Sequence, residues 1–482
     1  MKTSRYVPLA VLCIVLIGVS LIVLKVIAHG FLPYDDALRH AAKAVSGKGW
    51  DEILVLRDAH MVDNHPGWHA ILGVVHDFTG WAPAGLVVFS VFILFVLFTF
   101  IPVFGLERPE AWPAAFLIFA VTDVWLIERL LFGRPYIFSM AVVLLLSLMW
   151  PSMRSKKTGL LPAMALIAIL VALATWIHGS WYLFALPVAA YFAAREWRIG
   201  RALALSVACG VIGGALLTGH PYLFLKQNLV HLVLSLGDNT PTRLLVGEFQ
   251  PFNGDGLTAA AVIGMMGWRA VRGRWNRNVL DNPVFILALS GWVLGFAVRR
   301  FWFDWGMPAL AVWIAWEFED VFRTSMRRYS VRRIVLAVAL VSVLYLAVTN
   351  DAGGRWTHNL DTEYLSQDDP SQAEWLPGPG GIVYSDSMVI FYDTFFKNPR
   401  APWRYILGFE AALMPAEDLA VFRKIQWNYG AYQSFEPWVR KMAPEDRLIL
   451  RRPSGEEPKI PGLEWHYAAS DIWIGRTPHR EP

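Results

Sequence analysis

Long apolar runs dominate the first three-quarters of the chain, and short polar connections separate them. The runs fall at about 6–28, 83–105, 112–127, 136–151, 159–177, 180–194, 202–218, 257–271, 283–298, 306–320 and 333–349. A helix needs roughly 20 such residues to cross a hydrocarbon core of about 30 Å. The pattern therefore predicts a polytopic α-helical membrane protein with about eleven transmembrane helices, several of them short for a perpendicular span. The first run follows Lys2 and Arg5. It is longer than the roughly 7–15 apolar residues of a signal peptide, so it reads as an uncleaved helix. Beyond residue 350 the pattern changes. Stretches 380–385, 447–450 and 471–474 read as strands, and 415–428 reads as a helix starting near Pro415. The expected organisation is a transmembrane domain over 1–349 and a soluble C-terminal α/β domain over 350–482.

Composition supports the membrane assignment. The chain is 55% hydrophobic and 17% charged, against about 25% charged in soluble proteins. The net charge of +4 hides an asymmetry: residues 350–482 hold 14 Lys/Arg against 19 Asp/Glu, so the basic surplus belongs to the membrane half. With the N-terminus placed in the cytoplasm, the inner connections and the N-terminal segment carry 17 basic residues, among them Arg108, Arg154, Arg195, Arg272 and Arg333. The longer outer connections carry fewer, as the positive-inside rule requires. The surplus thus orients the chain in its lipids and gives no nucleic-acid footprint. An odd number of spans places residues 350–482 outside, in the periplasm or beyond, with the rest in the cytoplasmic (inner) membrane. Cys13 and Cys209 lie in apolar runs and suggest neither a disulfide nor a metal site.

Two outer connections are long, roughly 29–82 and 219–256, so chemistry is expected on that face. The first opens with Tyr34-Asp35-Asp36 just past the first helix. Adjacent carboxylates there can deprotonate a hydroxyl or hold a divalent cation against a phosphate; Asp35 would equally serve as an N-cap for a following helix. The loop ends with Asp63-Asn64-His65-Pro66, and His65 and His69 stand at i, i+4, the spacing of helical metal ligands. Glu128, Arg129 and Arg134 cluster at another outer boundary. Ionisable groups at that depth are paired or functional, so Glu128 could simply pair with Arg129 or Arg134, or Arg134 could grip a phosphate through its planar fork. His178 sits at a further outer end. The second long loop carries Arg243 and Glu248-Phe249-Gln250-Pro251, and Arg299 and Arg300 follow with Asp304 close by. Two outer arginines run against the topological bias. They suit phosphate binding, and pairing with Asp304 would also explain them.

These elements together resemble the GT-C superfamily of membrane glycosyltransferases, and within it the bacterial family 39, protein O-mannosyltransferase-like branch. Tyr34-Asp35-Asp36 matches the acidic pair that opens the first outer loop, with Asp-Asp where many members have Asp-Glu. Asn64-His65-Pro66 is similar to the His-Pro element before the second helix, Arg134-Pro135 to an Arg-Pro that opens a helix, and Glu248-Phe249-Gln250-Pro251 to a Glu-Trp-Gln-Pro with Phe for Trp. The resemblance covers roughly residues 1–350. It implies a polyprenyl-phosphate sugar donor, an inverting displacement and an acceptor hydroxyl on a glycan, lipid or protein. Asp35 would be the general base. Asp36 would orient the acceptor, share the base role or, with Asp35, hold a divalent cation such as Mg or Mn. Arg134, Arg243, Arg299 and Arg300 would meet the departing lipid phosphate, and His65, Glu128, His178 and Glu248 would complete the substrate-binding set. A ligase moving whole glycans shares this logic. A transporter, for which Asp123 is the clearest intramembrane ionisable residue, and a non-catalytic scaffold with a glycan-binding outer domain are the alternatives outside it.

Overall fold

The computed structural model describes residues 5–57, 62–123, 125–155, 159–237, 250–272, 282–452, 455–469 and 471–478. Over the membrane half the apolar runs become helices: α1 (Val7–Ala28), then, after the first outer loop, α5 (Pro83–Gly105), α6 (Ala111–Thr122), α7 (Trp125–Leu131), α8 (Tyr136–Arg154), α9 (Leu160–Ile177), α10 (Ala185–Ala193), α11 (Trp197–Leu217), α13 (Gly256–Val271), α14 (Pro283–Gly295), α15 (Met307–Ser325) and α16 (Arg332–Thr349). The intervening loops add α2 (Asp36–Ser46), α3 (Trp50–Ile53), α4 (Pro66–Thr79) and α12 (Pro221–Gly237). Six of these, α1, α5, α8, α9, α11 and α16, are long and apolar enough to cross a membrane. The run at 112–127 is not one helix. The backbone turns extended at Asp123, whose carboxylate accepts a hydrogen bond from Trp125 N at 2.9 Å, and the chain restarts as α7. Asp123 therefore stands at a break between two helices.

Lipid tails are as apolar as the side chains, so close packing holds such helices together more than burial from water does. α11 carries Gly210 and Gly214 one turn apart against α9. A Cβ on Gly214 would stand 2.4 Å from the Ala172 carbonyl oxygen, so only glycine permits this approach. At the opposite end of the bundle from the first outer loop, Arg333 makes a two-pronged ion pair with Glu110 at 2.6 and 2.8 Å. Both side chains are essentially fully buried (1% and 0% exposed). Arg333 thus joins the start of α16 to the start of α6, beyond any part it has in orientation.

The C-terminal segment forms a five-stranded mixed sheet, in the order β2-β1-β3-β5-β4. Its strands are β1 (Ile382–Tyr384), β2 (Arg404–Tyr405), β3 (Arg447–Arg451), β4 (Glu464–Ala469) and β5 (Ile472–Arg476). β1 runs parallel to β2 and β3, and β5 antiparallel to β3 and β4. Helices α18 (Met388–Lys397), α19 (Ala416–Trp427) and α20 (Glu436–Lys441) cover it; a one-turn α17 (Pro370–Ala373) precedes β1. The sheet does not stand apart from the first outer loop. Leu54 bridges Tyr405 in parallel, Val55 N donates to Tyr405 O at 2.9 Å, and Trp50, Ile53 and Leu54 share one apolar core with Phe391, Trp403 and Ile449. α2 lies between the two cores: Ala37, Leu38 and Ala41 face the helix bundle and Ala42 faces the sheet.

Removing one partner of a buried ion pair costs about 3–5 kcal/mol because the other charge is left stranded. Glu110→Ala and Arg333→Ala should each lower thermal stability in detergent by that order. Replacing both with methionine should recover most of the loss, and calorimetry of the purified protein checks it.

Candidate active site

The end of α1 and the start of α2 set the position of the acidic pair. Asp35 is the N-cap of α2 and accepts from Ala37 N at 3.4 Å. The same carboxylate accepts from Arg134 Nη2 at 2.5 Å, so the capping and phosphate-site readings meet in one residue. Asp36 accepts from Arg39 Nε at 2.7 Å, one turn along α2, and lies 3.7 Å from Arg134. Arg134 is aimed by its neighbour. Gly133 adopts a left-handed φ of +64°, and a Cβ there would stand 3.1 Å from Val91 N.

Around this pair opens a cavity of about 320 Å³. Seven of the expected residues line it: Asp35, Asp36, His65, Arg134, His178, Arg299 and Arg300. They come from α2, the start of α4, the turn before α8, the end of α9 and the turn after α14, which shows how far the fold gathers them. Arg300 lies 3.2 Å from Asp304, and its Nη2 is 3.4 Å from His178 Nε2. Asp304 sits on a π-helical turn (Phe301–Gly306) and also receives Arg129 at 2.6 Å. π-turns occur often at functional sites, and this one brings a carboxylate between two guanidiniums. Arg299 forms no ion pair among the described residues and donates one long hydrogen bond to Pro251 O at 3.4 Å.

Glu128 does not line the cavity. It pairs with Arg355 at 3.2 Å, a partner from beyond α16, and with neither Arg129 nor Arg134. Arg243 and Glu248 lie outside the described residues. Arg129, from the cluster around Glu128, also lines the cavity, as do Arg39, His40, Tyr392, Phe409 and Glu410, which were not singled out from the sequence. Arg39 packs its guanidinium 3.9 Å from the centre of the Phe409 ring, so the C-terminal segment supplies part of the wall. A polar patch on α2, Asp36-Arg39-His40 at helical spacing, was the available signal for two of them.

The electrostatics are uneven. Burial pushes Asp35 up, and Arg134 offsets this only in part. For Asp36 burial acts the same way, yet Arg39 and Arg134 prevail and hold it well below the usual carboxylate range. Burial and the neighbouring cations push the His65 and His40 imidazoles down, which disfavours their charged forms. Five arginines face three carboxylates (Asp35, Asp36 and Glu410) on the cavity wall, an excess that suits an anionic ligand. Both acidic residues of the pair are engaged by guanidiniums. Among the described residues no group of three His, Cys, Asp or Glu side chains could hold a metal ion. A cation at the pair would compete with Arg134 and Arg39 for its oxygens.

No protein-family model matches the chain. No curated protein sequence matches it either. Solved structures do. The apo crystal structure of the Archaeoglobus fulgidus oligosaccharyltransferase superposes with a TM-score of 0.56 at 13% identity, over 99% of this chain and 75% of that one. The same enzyme tethered by a disulfide to an acceptor peptide containing the NVT sequon gives 0.55 at 13% identity, over 92% and 69%. The likeness is one of fold. It is shared with that oligosaccharyltransferase and does not single out the family 39 branch.

A left-handed backbone costs a residue with a Cβ about 1–2 kcal/mol, and at Gly133 the crowding against Val91 adds to it. Gly133→Ala should lower stability by at least that amount and displace Arg134. Calorimetry together with the binding of a phospholipid-like anion to the detergent-solubilised protein would reveal both effects.

Proposed function

We propose that this chain is an integral membrane glycosyltransferase that moves a sugar from a polyprenyl-phosphate donor to an acceptor hydroxyl on the outer face of the cytoplasmic membrane. The observation that carries the reading is Arg299. It lines a cavity that also holds the acidic pair, and it has no carboxylate partner among the described residues. An unneutralised guanidinium in a partly closed cavity is suited to a phosphate that gains charge as a glycosidic bond breaks. The GT-C fold supports the same class of chemistry.

In this reading Asp35 removes the proton of the acceptor hydroxyl and Asp36, fixed by Arg39, orients the acceptor. Arg299 and Arg300 receive the phosphate. The lipid has a place to lie. Beyond Trp125, Arg299 and Phe303, which the cavity shares with a neighbouring pocket holding Asp123 and Asp255, an apolar groove runs between α13 and α14. Val262, Met266, Phe285, Leu289 and Trp292 line it. The outer-facing C-terminal segment closes one side of the site through Tyr392, Phe409 and Glu410, a placement suited to holding the acceptor. An inverting course follows if base and phosphate stand on opposite sides of the anomeric carbon.

The test supplies the purified protein with polyprenyl-phosphate sugars and a panel of acceptors. A positioned general base is worth about 10²–10⁴ in rate, so Asp35→Asn should lose about that much. A fixed donor to developing charge is worth about 10²–10³, so Arg299→Ala should lower kcat by a similar factor. Wild-type rates in both variants would remove the assignment, and transfer of whole glycans but not single sugars would favour the ligase. Activity should also fall with acid. Asp35 must be ionised to act, and burial raises it, so the acid limb should lie above the ordinary carboxylate value of about 4. A pH–rate profile measures its position.

A further inference from the structure

One stretch of the cavity wall is neutral and polar, and the transfer reading leaves it unused. Asn64, Gly179, Ser180 and Asn228 form it. Asn228 lies on α12 and is 7% exposed. Its Nδ2 donates to Phe224 O, one turn back, at 2.9 Å. A carbonyl oxygen only accepts, so the amide nitrogen must face Phe224 and the orientation of the side chain is fixed. Oδ1 lies on the Gly179 side: a Cβ on Gly179 would stand 2.5 Å from it and 3.0 Å from Asn64 O. Among the described residues no N–H or O–H donates to Oδ1. The helix that carries it is held to the first outer loop by the preceding residue. The Gln227 amide accepts from Val62 N at 3.0 Å, and donates to Val62 O at 2.7 Å and to Asn64 Oδ1 at 3.0 Å. Gln227 fixes α12, and Asn228 presents an oxygen to the cavity.

A buried oxygen that only accepts is unfavourable until a donor meets it. A lipid-linked sugar restricts what that donor is. The tail is apolar and an ionised phosphate diester carries no O–H, so the sugar hydroxyls are the hydrogen-bond donors that such a substrate offers. The location agrees. Gly179 follows His178, whose Nε2 is 3.4 Å from Arg300 Nη2. A phosphate resting on Arg299 and Arg300 has this neutral wall beside it, and the attached sugar is the part of the substrate suited to it. We propose that Asn228 reads a hydroxyl of the transferred sugar through a hydrogen bond to Oδ1, and so selects which sugar the site takes. This rests on the glycosyl-transfer reading. An amide suits the task because it supplies an acceptor without charge; a carboxylate near Arg300 would compete with the phosphate for the guanidinium. Asn228 breaks no bond and moves no proton. Gln227 is a positioning residue, and Gly179 keeps the space in front of Oδ1 clear.

Equilibrium binding to the intact, detergent-solubilised protein tests this without turnover. The probes are a short-chain polyprenyl phosphate, the same lipid carrying mannose, glucose or galactose, and forms of the tightest binder that each lack one hydroxyl. In the wild type the sugar should tighten binding over the bare lipid. One deoxy form should bind roughly 10- to 100-fold more weakly than its parent, the scale of a buried acceptor left unmet. In Asn228→Ala that one difference should vanish while the ranking of the other forms stays. Gly179→Ala, which presses a methyl group against Oδ1, should weaken the same discrimination and replaces the first variant if that one does not fold. Bare lipid bound as tightly as every sugar form would overturn the role, and so would the same discrimination surviving in the folded variants. A uniform loss for all sugar forms would also overturn it, because a merely structural asparagine predicts that result. Transfer to a panel of acceptors is then measured with the tightest binder. A wild type that shows the Asn228-dependent preference yet transfers no sugar would sink the glycosyl-transfer reading and leave the sugar recognition standing.

Discussion

Arg134 reaches from the turn before α8 to the two carboxylates that open α2, and the site depends on that contact. The ion pair joins a loop leaving α1 to the mouth of α8, two elements that the chain order separates widely. It also sets two different tasks for neighbouring carboxylates. Asp36, held by two arginines, is a permanent anion. Asp35, more deeply penalised by burial than it is helped by its single arginine, is nearer to taking a proton. Two like charges in sequence are thus made chemically unlike by what each faces.

A second carboxylate–arginine group repeats this arrangement at the other wall. Asp304, on its π-turn, takes both Arg129 and Arg300, which leaves Arg299, the adjacent residue, outside the lattice. Arg300 is anchored by Asp304, and its neighbour Arg299 has no carboxylate partner among the described residues.

The helices were legible because the membrane requires long apolar stretches, and each run from 6–28 to 333–349 contains a helix. The break at Asp123 was not. One polar residue within an apolar window does not lower the average, but its carboxylate can take the backbone hydrogen bond that a continuing helix would use. β1, β3 and β5 lie on stretches whose pattern marks strands, whereas β2 has two residues and β4 is half-polar. In the site, outer-end residues such as Arg134 and Arg300 stood out by charge against a topological rule. Arg39 and His40 did not, because on an amphipathic surface helix they look like solvated positions. Phe409 covers Arg39, and His65 and His69 at the start of α4 pack against His40, contacts that spacing along the chain does not encode. Glu128 shows the converse: its charge was visible, but its partner Arg355 lies far along the sequence.

The parallel bridge from Leu54 to Tyr405 carries a consequence for how the molecule is made. The loop that holds the acidic pair is synthesised well before the strand it leans on, which follows the whole helix bundle in the chain. Contacts of such separation form late and slowly. Until then α2 has only its bundle-facing side covered, and the wall supplied by Tyr392, Phe409 and Glu410 does not exist. The cavity therefore closes only once the chain through Glu410 has been made: a chain stopped before it can insert every helix of the bundle and still have no closed site.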